Sequence, residues 1–268
     1  MAFILEVCVD SVESAMEAVK GGANRLEVCG NLIIGGTTPN INLFKILKEK
    51  INIKMNVLIR PRYGDFRYTE NEFEMMKRDI KMFKKAGASG VVIGMLKPDG
   101  TLDIDGMKEL IAEAEGMHVT LHRAFDVCRD PFATLEEAKK LGINSILTSG
   151  QKNNCMQGRA LLKELVKKSE HKIEILIGSG INSSNVEDVI SYTKSYTVHT
   201  SGKSEVESDM QYRREDISMG FPIISEHVIL RTQCEEIAKI RIINNTFPPV
   251  YILKYLFLDI LEYENHIE

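Results

Sequence analysis

The chain has 268 residues, 44% of them hydrophobic, and a formal net charge of −4. That is enough apolar matter for one large α/β domain or two small ones. Lysine and arginine are scattered among acids without the basic stripe that nucleic-acid binding requires, so a nucleic-acid partner is not expected. Five cysteines, an odd number without a CxxC pair, exclude a disulfide framework and a zinc ribbon. The opening "MAFILEVCVDS" has no basic n-region and runs straight into a strand, so no secretory signal is expected and a reducing cytoplasm is the default location.

In chain order, short β-branched runs alternate with amphipathic ones. Strands are predicted at Leu5–Asp10, Arg25–Cys29, Met55–Pro61, Gly90–Met95, His118–His122, Ser145–Ser149, Ile173–Gly178 and Tyr196–Ser201. Helical patterns such as "SVESAMEAVKGG", "NEFEMMKRDIKMFKKAG", "DGMKELIAEAEG", "DPFATLEEAKKLG" and "SSNVEDVISYT" lie between them, several ending in glycine. A last helix is expected over Ser225–Ile243. Eight such repeats predict an α/β (β/α)8 barrel, a TIM barrel, over residues 1–245. A doubly wound sheet would want a glycine-rich turn after the first strand, and "CVDSVES" has none. Residues 246–268 read as an amphipathic C-terminal tail, with Leu253, Leu256, Phe257, Ile260 and Leu261 on one helical face. That run is too short and too charged to span a membrane.

Strand phase carries the functional signal, because residues two apart share a side. Leu5, Val7 and Val9 face helices; Glu6, Cys8 and Asp10 face the lumen. The same phase turns Glu27 and Cys29, then Asn56, Leu58, Arg60 and Arg62, then Thr120 and His122, then Thr197, His199 and Ser201 inward. Parallel strands buried on both faces normally read as continuous apolar runs. These do not. Isolated buried charge costs several kcal/mol, so Glu6 and Glu27 are expected to meet Arg60, Arg62 or a histidine. The set is either a sealed polar plug or a ligand site at the C-terminal mouth.

The ordered motifs "LEVCVDS", "GGTTP" (Gly35–Pro39), "RPRYGDF" (Arg60–Phe66), "HRAFD" (His122–Asp126), "LTSG" (Leu147–Gly150) and "HTS" (His199–Ser201) resemble the CutC family of copper homeostasis proteins over roughly residues 3–245. The resemblance implies a cytoplasmic (β/α)8 barrel that assembles as a homo-oligomer, a dimer or tetramer. Tyr63 departs from the family's loop glycine and is expected to narrow the mouth.

Two functional readings stand. One is a Cu(I) site at Cys8 and Cys29: neighbouring strands lie about 4.8 Å apart, and thiolates favour Cu(I). The resemblance also implies cysteine ligation at these positions. The other is an enzyme of lyase or isomerase type acting on a small phosphorylated or carboxylated metabolite. There Glu6, Glu27, His122 and His199 are the candidate acids and bases. Arg60, Arg62 and Asp65 would meet the substrate, together with Ser149, Gly178, Gly180, Ser201 and Gly202. The turns "GSGINSSN" and "HTSGKS" would hold its anion on backbone N–H groups at helix starts. A non-catalytic interaction protein, its lumen only a plug, is the third class. Cys128, Cys155 and Cys234 are expected to be packing or surface thiols.

Overall fold

The computed structural model describes residues 3–214, 217, 219 and 225–245. Eight strands, β1 (Ile4–Val9), β2 (Arg25–Val28), β3 (Lys54–Leu58), β4 (Gly90–Ile93), β5 (His118–Leu121), β6 (Ser145–Thr148), β7 (Glu174–Ile177) and β8 (Thr197–Thr200), pair in chain order. All pairings are parallel, and β8 closes the barrel against β1. Helices α1 (Val12–Lys20), α2 (Ile41–Lys50), α3 (Glu70–Lys85), α4 (Ile104–Glu113), α5 (Pro131–Lys140), α6 (Cys155–Ser169) and α7 (Val186–Thr193) form the crossovers. The TIM barrel expected from the alternation is the fold.

Local chemistry starts the helices where the chain must turn. The Ser11 hydroxyl accepts from the Ser14 N–H at the head of α1. Thr69 and Glu72 form a reciprocal capping box on α3. Asp130 caps α5 ahead of Pro131. The outward rows follow the predicted phase: Leu5, Val7, Val9, Leu26, Val28, Val57, Ile59, Val119, Leu121 and Val198 join the apolar layer beneath the helices.

The chain departs from expectation after β8. Instead of passing to a helix, it forms an antiparallel hairpin of β9 (Lys203–Glu207) and β10 (Val228–Thr232), with Lys203 opposite Thr232. Helix α8 then runs Cys234–Asn245, so the helix expected from Ser225 begins nine positions later, after the β-branched run at Val228–Thr232. The hairpin and α8 dock on the barrel wall near α1. Thr232 N–H donates to Ser14 Oγ at 3.2 Å. Ile237 packs so tightly on Gly21 that a Cβ there would lie 2.6 Å from Ile237 Cβ. The amphipathic tail expected at 246–268 lies outside the described residues. Among the described residues, no helix is long and apolar enough to cross a membrane.

Candidate functional site

The lumen has two levels. At the lower one, Arg25 is buried and its guanidinium pairs with Glu6 and, at 2.7 Å, with Glu174. Ser145 donates to Glu174 at 3.0 Å, His118 Nε2 lies 2.9 Å from Ser145 Oγ, and Asn56 donates to Glu6 at 3.4 Å. This level is a polar plug. The partner that sequence phase missed for Glu6 is Arg25, which stands two residues before Glu27 and therefore shares its face.

The upper level opens into a cavity of about 710 Å³ at the C-terminal mouth, and Cys8, Glu27, Cys29, Arg60, His122 and His199 all line it. So do Gly180, Ser201 and Gly202. Glu6 lies just beneath, fully buried. The convergence predicted from strand phase holds for these residues.

His199 links the two levels. Its Nδ1 lies 3.0 Å from Glu6 Oε1 and its Nε2 lies 3.5 Å from Glu27 Oε2. Burial works against charge on this ring, but the facing Cys8, Glu6 and Glu27 hold its pKa well above the usual imidazole value. The two carboxyls diverge. Burial would raise Glu6, yet Arg25 and His199 bring it down to about 2. Burial raises Glu27, against the pull of His199. Cys29 is raised well above its usual value by burial and by the adjacent Glu27.

A thiol, a carboxylate and an imidazole, from Cys8, Glu27 and His199, place their ligand atoms within 4.8 Å of one another. Register explains why Cys29 is not the third member. Glu27, not Cys29, is the Cα partner of Cys8, so the two thiols are diagonal. They still pack in one small cluster with Leu58 and Val92. The set suits a soft or borderline ion: sulfur and imidazole nitrogen are its first ligands, and Glu6 on Nδ1 orients the ring so that Nε2 faces the cluster.

Several expected substrate-binding residues lie elsewhere. Arg62 pairs with Glu72 at 2.6 Å and Asp65 at 3.0 Å, bracing the loop before α3 outside the cavity lining. Ser149 is held by Asp126, which accepts from its N–H and hydroxyl. Gly178 is packed between Leu147 and His199, where a Cβ would meet Leu147 at 2.6 Å. Tyr63 is exposed and off the lining, so it does not narrow the mouth.

The anticipated phosphate cradle is also altered. The Ser183 N–H and hydroxyl after β7 donate to Glu236 of α8 at 2.6 and 2.9 Å, so an internal carboxylate already meets that loop. After β8 the chain enters β9, not a helix start. Lys203, within the "HTSGKS" segment after β8, lines the mouth through the hairpin, and Gln233, Glu235 and Lys239, which no barrel periodicity could have assigned there, line it through α8 and the residue before it.

Known proteins resemble this chain in sequence and fold. A profile of the CutC family matches residues 3–204. The chain is 44% identical over 241 residues to a family protein CutC of Parabacteroides distasonis, covering 88% of this chain and 98% of that one. It is 38% identical over 242 residues to the copper homeostasis protein cutC homolog of Mus musculus, covering 90% and 88%. Among solved structures, a CutC protein of Streptococcus agalactiae superposes with a TM-score of 0.72 at 27% identity, covering 74% of this chain and 98% of that one. A thiamine phosphate pyrophosphorylase of Pyrococcus furiosus, at 16% identity and a TM-score of 0.54, shares the barrel alone. With its eight-stranded barrel, its motifs in order and these matches over most of its length, the chain belongs to the CutC family.

Proposed function

We propose that this protein takes part in copper homeostasis by binding Cu(I) at the floor of the lumen cavity. The observation that carries this reading is the meeting of Cys8, His199 and Glu27 within 4.8 Å, with Cys29 in the same apolar cluster. Copper is the cargo. Cys8 and His199 Nε2 supply soft and borderline ligands, Cys29 is the second thiol available nearby, and Glu6 orients the imidazole. The names of the mouse and human relatives, copper homeostasis protein cutC homologs, point the same way. Free thiols suit a reducing cytoplasm, and we propose the homo-oligomer that the family resemblance implies.

Anaerobic titration of the apo protein with Cu(I) against a chromophoric chelator tests the proposal. Wild type should bind one equivalent. Cys8→Ser should weaken it by at least about tenfold, and the Cys8→Ser, Cys29→Ser double variant should lose the site while its thermal midpoint is kept. Unchanged stoichiometry and affinity in the double variant would overturn it.

A second reading, acid–base catalysis of lyase or isomerase type on a small phosphorylated or carboxylated metabolite, is favoured by one separate observation. Two carboxyls pushed in opposite directions, Glu6 to about 2 and Glu27 upward, face one imidazole beside a cavity of about 710 Å³, far more room than a bare ion needs. In this reading Glu27 is the proton donor or acceptor, His199 couples it to Glu6, and the barrel mouth admits the substrate.

A further inference from the structure

Two residues of the cavity wall carry N–H groups that no acceptor among the described residues takes up. Arg60 is 8% exposed and His122 is 4% exposed, and both line the cavity. Arg60 spends its terminal nitrogens on backbone carbonyls: Nη1 donates to Gly35 at 3.2 Å and Gly36 at 3.0 Å, and Nη2 to Gly64 at 2.8 Å. Its Nε is buried without a partner. Among the described residues no carboxylate pairs with this guanidinium.

His122 is fixed in the same way. Its Nδ1 accepts from the Ala124 N–H at 3.1 Å, because His122 caps the 3-10 turn that follows β5. A nitrogen that accepts carries no proton, so the neutral ring carries its proton on Nε2. That Nε2 is buried and unpartnered too. Burial, with the Arg60 charge nearby, lowers the pKa of this ring to about 3, which keeps it neutral at physiological pH. Phe66 ties the two together: its ring lies 4.8 Å from the His122 ring and 5.0 Å from Arg60 Cζ, and it also lines the cavity.

A buried donor without an acceptor costs about 1–3 kcal/mol. Two of them, on residues that line one cavity wall and each itself screened from the cavity in the free protein, mark where an acceptor from outside would be met. We infer that Arg60 Nε–H and His122 Nε2–H form an oxyanion subsite that takes an oxygen, or two oxygens of one group, from a small carboxylated or phosphorylated metabolite. The positive guanidinium favours a charged acceptor. The neutral imidazole donates a hydrogen bond without giving up its proton. His122 is thus a binding and polarising group and not the acid or base its sequence suggested. This inference deepens the second reading above by naming where the substrate's oxygen is held; it is independent of copper ligation at Cys8.

The experiment uses the full, metal-free chain and measures binding, so it does not depend on any reaction being found. In ¹⁵N-histidine NMR spectra of the free protein between pH 5 and 8, His122 should show a protonated Nε2 and an unprotonated Nδ1 throughout. Calorimetric titrations with glycolate, inorganic phosphate and 2-phosphoglycolate separate the carboxylate arm from the phosphoryl arm. At least one probe should bind and shift the Nε2 resonance. His122→Asn keeps an oxygen to cap Ala124 while removing the Nε2 donor, and Arg60→Lys keeps the charge while removing Nε–H. Each should weaken the binding probe by about tenfold, the loss of one hydrogen bond to a charged group. An Nδ1–H tautomer or an imidazolium at His122, no binding by any of the three probes below 10 mM, or wild-type affinity in His122→Asn would each overturn the inference. If Arg60→Lys fails to fold, the tautomer and the His122→Asn titration decide alone.

Discussion

His122 shows how one backbone hydrogen bond sets the chemistry of a side chain. Accepting from Ala124 fixes its tautomer, and burial beside Arg60 lowers its pKa to about 3. In the unfolded chain the same ring titrates near 6.5. A folded pKa below the unfolded one means that the stability is fully present above pH 6.5 and is lost as pH falls toward 3, at about 1.4 kcal/mol per pH unit. Urea unfolding at pH 7 and pH 5 should therefore cost wild type about 2 kcal/mol more than His122→Asn. Equal losses would show that the ring is charged in the folded state. The inward direction of His122 was legible from the phase of "VTLHRAFD". Its role as a donor was not, because the proton's position depends on the turn that follows the strand.

The hairpin and α8 are the elements that give this barrel its own mouth. Lys239 reaches the cavity only because α8 returns to the barrel, and Glu236 fixes α8 to the loop after β7 through Ser183. Gly202 is the hinge between β8 and β9. It has φ +52°, and a Cβ there would press into Ile237 of α8. Gly202→Val is expected to lower stability by about 1–3 kcal/mol and to raise hydrogen exchange in α8 before the barrel strands. Uniform exchange across α8 and the barrel would place the strain elsewhere. The strand at Val228–Thr232 was concealed in the sequence by the helical pattern after it, since a short apolar run fits either period.

For the molecule as a whole, the lower lumen network binds the barrel to itself. Arg25 from β2, Glu6 from β1, Glu174 from β7, Ser145 from β6, His118 from β5 and Asn56 from β3 make one connected set, and His199 carries it to β8. Removing one partner of a buried pair strands the other charge. Arg25→Met is thus expected to cost about 3–5 kcal/mol of global stability, with part of it recovered when Glu6→Gln is added. Chemical denaturation of the single and double variants measures both. A single-variant loss below about 1 kcal/mol would show that the barrel does not depend on the pair.

The sequence by itself determined the (β/α)8 barrel, the facing of most inner strand residues and the family, because periods of 2.0 and 3.6 and ordered motifs are local properties of a chain. It missed inward Arg25 and turned Arg62 inward, where the structure sets it on the loop before α3. It also placed Glu6, Cys8, Glu27, Cys29, Arg60, His122 and His199 in one lumen. Only the tertiary structure decided which of them touch. Register set Glu27 rather than Cys29 beside Cys8, barrel closure brought His199 onto Glu6 across the β1–β8 seam, and the return of the chain beyond β8 supplied the rim. Pairing across strands distant in sequence depends on shear and closure, which no local pattern encodes.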